Sequence, residues 1–252
     1  MRLDIPRSVL VALWANRLGT APSPEELAQA ARAVRAVADD DGMPTADLLT
    51  QVAGTAVLAV TPVPGEPVPL PAPARAAALE AGQALISGPP RGAPGLLRIA
   101  VPDERAFGSE LEPGELLGWQ VWTEPVDGSG WVPPVITMAE ARTGLAEALD
   151  LAIETLLSVD VARWREEAAE EIAMLGSDEL PPPAADRIPP GLDPRRSHVL
   201  SRAVRLQAIV DLATQDDGAA VNSWQADQRT AALRHVAAAA RGALCAVSVS
   251  GF

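Results

Sequence analysis

The chain has 252 residues, with 20 arginines and no lysine, 33 acidic residues, two histidines, one cysteine and a net charge of −13. Without lysine there is no Schiff-base nucleophile and no phosphate-loop lysine; Cys245 alone supports no intramolecular disulfide, CxxC redox pair or cysteine zinc site. The acidic balance argues against nucleic acid as the main partner, and the apolar run at residues 9–15 is far short of the roughly 20 residues a membrane helix needs.

Along the chain, residues 3–5 read as a short strand and Pro6 opens a helix over 8–18. Ser23 before Pro24, Glu25 and Glu26 is a strong helix start, with a capping hydroxyl, an early proline and acids at the positive end of the dipole. That helix is expected to run to about residue 38 and stop at Asp39, Asp40, Asp41 and Gly42. The run resembles a calcium loop superficially, but the residues at loop positions one and twelve would be Val37 and Leu48, so it is a helix stop. Thr45 caps a helix to Val52, and residues 55–60, rich in β-branched side chains, read as a strand.

Residues 61–73 carry six prolines and suit edge-strand or polyproline structure. An Ala-rich helix is expected over 74–86 and a strand over 96–101. The clearest hairpin signal is a strand at 116–124, a Gly-rich turn at 126–130 and a return strand at 131–136. Helical periodicity follows over 138–158, with Leu145, Leu149, Ile153, Leu156 and Leu157 on one side, and over 160–175.

Residues 181–194 hold six more prolines and read as a linker. Beyond it Asp193 caps a helix to about residue 214, with Val199, Ala203, Leu206, Val210 and Ala213 as its stripe. After a turn at 215–218, a long helix returns over 219–247 with Val221, Trp224, Leu233, Val236, Ala240, Leu244 and Val247. The expected product is an antiparallel helical hairpin. Residues 103–193 hold 20 acids against five arginines, whereas 195–252 hold seven arginines against four acids. This asymmetry suggests that the basic hairpin docks on the acidic middle of its own or a neighbouring chain, against the alternative of ordinary solvated helix faces.

His198 and His235 lie symmetrically about the turn and each precedes a stripe residue, so a two-histidine metal or proton-relay site is geometrically open to them. The alternative is coincidence, since no ExxH motif accompanies either. Glu166, Glu167, Glu170 and Glu171 form two i, i+4 carboxylate pairs, which bind hard cations only if other ligands converge and otherwise make a solvated face. Trp119, Trp122 and Trp131 crowd the expected hairpin. Alternation puts Trp119 and Trp122 on opposite faces, one core and one partly exposed to receive a partner, with core packing as the alternative for each. Arg195 and Arg196 at the start of the basic helix are further candidate contact residues. Trp14, Trp164 and Trp224 sit at helical spacing and read as core. Cys245 reads as a small buried apolar residue. Serine-hydrolase, dinucleotide and phosphate-loop motifs are absent.

Residues 202–246, with an Arg-rich helix, an LA-x₂-DDGAAV turn, Q-x₃-R and an Ala-rich helix, resemble the C-terminal segment of uncharacterised proteins of high-GC actinobacteria. The resemblance implies a bacterial cytoplasmic setting and no particular activity. The expected fold is α+β: a small antiparallel sheet with helices over 1–137, an acidic helical segment over 138–180, the linker at 181–194 and the basic helical hairpin at 195–252. The expected function is a non-enzymatic cytoplasmic interaction or adaptor protein with a protein partner or a second copy of itself, without cofactor, nucleic acid or membrane. The alternative is a small-molecule- or metal-binding regulator, or an enzyme lacking familiar motifs.

Overall fold

The apolar run at residues 9–15 becomes the middle of the first helix, α1 (Arg7–Leu18), in a computed structural model that describes residues 3–34, 38–39, 42–67, 70–109, 112–128, 136–158, 180–215 and 223–251. A helix apolar on every side has to lie inside, and all seven residues of that run are buried. Pro6 cannot cap it with a side chain. The Gln83 side-chain oxygen instead accepts the Ser8 amide at 3.0 Å. The expected strand at residues 3–5 does not form, and Ile5 is buried in the core.

Helix α2 (Pro24–Val34) begins with a reciprocal capping box. Glu26 accepts from the Ser23 amide and hydroxyl at 2.9 Å each, while Ser23 Oγ accepts from the Glu26 amide at 3.2 Å. It ends short of the expected boundary, and residues of the supposed stop signal join the sheet: β1 (Ala38–Asp39) pairs in parallel with Leu116 and Leu117. Helix α3 (Thr45–Val52) and strand β2 (Ala56–Val60) follow. The Ala-rich helix α4 (Ala72–Ala81) stops at Gly82, whose φ of 65° is left-handed. Residues 84–86, expected to continue that helix, instead start strand β3 (Ala84–Gly88), because their apolar side chains fill the middle of the sheet.

Strands β4 (Gly95–Gly108) and β5 (Pro113–Val126) are paired along their whole length. Residues 116–124, the first strand of the expected hairpin, pair along their whole length with β4, a partner the sequence reading did not assign them. Residues 131–135 lie outside the described residues. The result is a four-stranded antiparallel sheet in the order β5-β4-β3-β2, with β1 outside β5.

Both outer strands are covered by the chain itself. Val57 of β2 exchanges two 2.9 Å backbone bonds with Ser250, and Ser248 Oγ accepts the Ala59 amide at 2.9 Å. On the other side Trp119 exchanges backbone bonds of 3.0 and 3.1 Å with Met43. Covered edges deny a foreign strand a template.

The C-terminal part is helical: α5 (Met138–Ser158), a single turn α6 (Pro182–Ala185), α7 (Pro194–Gln215) and α8 (Ser223–Ser248). Asp193 caps α7 by accepting the Arg195 and Arg196 amides at 2.9 and 3.2 Å. The chain divides into two units. One comprises Met1–Asp4, Ile136–Ala184 and Leu192–Val247; the other Ile5–Val135, Ala185–Gly191 and Ser248–Phe252. In the helical unit α5 packs on α7, burying Ala141, Leu145 and Ala148 of the first and Val199, Leu200 and Ala203 of the second. The Pro-rich stretch read as a linker contributes Ala185–Gly191 to the sheet unit. There Arg187 donates to the carbonyls of Ala33 (3.1 Å) and Val34 (3.4 Å), and its own carbonyl accepts the Trp14 indole N–H at 2.9 Å.

Candidate interaction surface

The ribbon formed by β4 and β5 outruns the rest of the sheet. β3 pairs β4 only at Arg98, Ile99 and Ala100. The reason lies in hydrogen-bond phase. Ser109 and Glu112 exchange both backbone bonds (3.3 and 3.1 Å), so odd-numbered residues of β4 turn their N–H and C=O toward β5 and even-numbered ones turn them away. Trp119, opposite Pro102, bonds outward to Met43, as that phase requires. Pro102 therefore faces the β3 side with no N–H to give, and β3 pairing ends there.

All three prolines of the ribbon obey this phase. Pro102 faces Trp119, Pro113 faces Gly108 and Pro125 faces Leu96, each in a pair that exchanges no β4–β5 bond. Pro113 and Pro125 sit on the outer edge of β5, where they deter strand addition. The outer edge of β4 carries no proline beyond residue 102, and among the described residues no strand pairs with it there. The tip closes through Gly108, whose φ of 90° and proximity to the Glu112 carbonyl leave no room for a side chain.

Arg7 fastens the root of the ribbon. It is only 5% exposed, and its guanidinium donates to the Val34 carbonyl at 2.8 Å and to Glu115 at 2.8 Å, with Glu104 3.7 Å away. Gln83 donates to Glu104 at 3.2 Å. Between the last turn of α4 and β4 lies a groove of about 450 Å³ whose lining includes Glu80, Gln83, Asp103, Glu104 and Gln120. The Arg105 guanidinium, 2.8 Å from Asp103, holds that carboxyl below its ordinary range. Phe107, 48% exposed, lies over Gly114 toward the tip.

The residues singled out from sequence that are described sit in different settings. Trp119 is 1% exposed and donates its indole N–H to Thr45 Oγ1 at 3.1 Å, so it is core and offers no partner surface. Trp122 is on the opposite face and half-buried; Trp131 lies outside the described residues, as do Trp164 and the four glutamates at 166–171. His198 on α7 and His235 on α8 are exposed, and among the described residues no group of three or more His, Cys, Asp or Glu could hold a metal ion. Arg195 is exposed. Arg196 is half-buried and donates to the Val247 carbonyl at 3.1 Å. Burial pushes the Cys245 thiol up to about 11, consistent with a packing role. Sequence reasoning missed the ribbon and its groove. The parity of Pro102, Pro113 and Pro125 was the available signal.

The described chain is thus an α+β sheet unit followed by a helical unit, with no described helix long and apolar enough to cross a membrane. Two family models match it: Rv1486c-like protein, N-terminal domain, over residues 8–134, and Rv1486c-like protein, C-terminal domain, over residues 139–245. The chain belongs to the Rv1486c-like family. Comparison with the curated proteins and with the solved structures gives no match.

Proposed function

We propose that the chain is a non-enzymatic, cytoplasmic interaction or adaptor protein. The observation that carries this reading is the β4–β5 ribbon, which extends past β3 with a groove at its root and an exposed aromatic side chain toward its tip. An outward ribbon with one edge that carries no proline beyond Pro102 and, among the described residues, pairs with no strand there is suited to engaging another protein. The helical unit supplies a second surface in this reading, with α7 and α8 as the antiparallel hairpin. The Arg196 bond from the start of one to Val247 near the end of the other supports that arrangement.

Affinity purification of the full chain from an actinobacterial extract, with partners identified by mass and rebound in purified form, tests the reading. One partner at fixed stoichiometry, or a defined homo-oligomer on sedimentation, is expected. A chain that sediments as a monomer and retains nothing overturns it.

A further inference from the structure

We infer that the outer edge of β4 beyond Pro102 takes an extended, arginine- or lysine-rich segment of a partner protein, laid along the ribbon beside α4. This deepens the interaction reading and rests on it. The first argument is backbone phase. The N–H and C=O of Ala106 point away from β5, and among the described residues no strand pairs with the edge they face. The second is protection: the outer edges of β2 and β5 are bonded by Ser250 and Met43, and β5 carries Pro113 and Pro125 besides, while the outer edge of β4 carries no proline beyond Pro102 and, among the described residues, no strand pairs with it at Ala106. Ala106 and Gly108 both turn their backbone groups to that edge, so a segment added there gains backbone bonds at the two positions.

Charge selects the occupant. Among the described residues, the ribbon and groove set the carboxylates of Glu80, Asp103, Glu104, Glu112 and Glu115 against the guanidiniums of Arg7 and Arg105, which leaves an acidic excess. A segment adding there brings its side chains close to these carboxylates. Basic residues gain from that placement, and acidic ones are repelled.

The probe is a short fluorescein-labelled peptide of alternating arginine and valine, with an alternating glutamate–valine peptide as control, read by anisotropy against the full chain. Binding of the basic peptide only is expected, weakening at least about tenfold between about 0.05 and 0.5 M salt. Glu80→Arg, on an exposed turn, should weaken it about tenfold. Ala106→Pro removes the outward donor without touching a β4–β5 bond and should abolish binding, whereas Ala106→Gly keeps the donor and should retain it. Circular dichroism confirms that each variant is folded. Equal binding of both peptides, undiminished binding by Ala106→Pro, or a homodimer that Ala106→Pro dissociates overturns the proposal. If the basic peptide fails while the full chain still retains its own partner at fixed stoichiometry, this inference falls and the interaction reading stands.

Discussion

Arg7 and Arg187, 180 positions apart in sequence, donate to the same acceptor, the Val34 carbonyl at the end of α2, at 2.8 and 3.4 Å. The last carbonyls of a helix have no intrahelical partner and sit at its negative end, so two guanidiniums there satisfy both the bond and the dipole. Arg7→Met should cost about 2–3 kcal/mol, toward the lower end of what breaking a buried ion pair costs, because Glu104 and Glu115 are each a third exposed and can turn to water. Arg187→Ala should cost about 1–2 kcal/mol. Because the two share an acceptor, urea denaturation of the double mutant should give less than the sum.

The proline phase of the ribbon predicts an alternation that thermal melts can read. Arg105→Pro deletes an N–H aimed at β5 and should lower stability by about 3 kcal/mol, whereas Ala106→Pro, one residue on, should change it by less than about 1 kcal/mol. Equal effects would contradict the assigned phase.

Trp119 is held from two directions, by its backbone bonds to Met43 and by its indole bond to Thr45. Trp119→Phe should cost about 1–3 kcal/mol, since a buried hydroxyl loses its partner and volume is lost. A Cβ at Gly42 would stand 2.7 Å from the Trp119 amide nitrogen. Gly42→Ala should therefore cost a further about 1–3 kcal/mol, and the quenching of indole fluorescence should report both.

The Cys245 thiol, pushed up to about 11, should resist alkylation in the native chain at about pH 8. It should react about a hundredfold faster in urea, where the ordinary thiol value returns. Mass spectrometry of iodoacetamide-treated samples checks this.

Two exposed carboxylates report helix starts. Bonds from Ser23 hold Glu26 below its usual 4.5, and the Thr137 amide, donating at 2.7 Å, does the same for Glu140. A carboxyl depressed in the folded state contributes stability that is complete above its unfolded value and lost as pH falls through the folded one. The melting-temperature gap between wild type and Glu26→Ala or Glu140→Ala should therefore be full near about pH 6 and close below about pH 3.

Much of the fold was readable where one kind of signal dominated. α1 and the capped starts of α2 and α7 follow from an apolar run, prolines and capping side chains, and α3 forms over the expected residues, although Pro44 and not Thr45 is its cap residue and no side-chain cap bond is made there. The buried stripe of Val199, Ala203, Leu206 and Val210 follows from period alone. The β4–β5 pairing was missed because Asp127-Gly128 is a stronger turn signal than Ser109, Glu110, Leu111 and Glu112. The acids of 103–115 also look like a solvated loop. Their strand character comes from partners: Glu104 and Glu115 meet Arg7 from α1, a contact 97 to 108 residues distant in sequence. Periodicity within a window cannot see that. Alternation sets Trp119 and Trp122 on opposite faces, yet which face is core depends on α3, whose Thr45 hydroxyl accepts the Trp119 indole N–H.

The bonds of Ser248 and Ser250 to β2 carry a timing. Ala59 and Ser248 are 189 residues apart, so on a ribosome adding about 5–20 residues each second β2 waits roughly 10–40 s for its outer neighbour. Through that interval the sheet has a bare flank, and the whole helical unit is synthesised before the flank closes. Folding on the ribosome therefore has a late, irreplaceable stitch, and the nascent chain is most exposed to wrong pairings while its helices are being made.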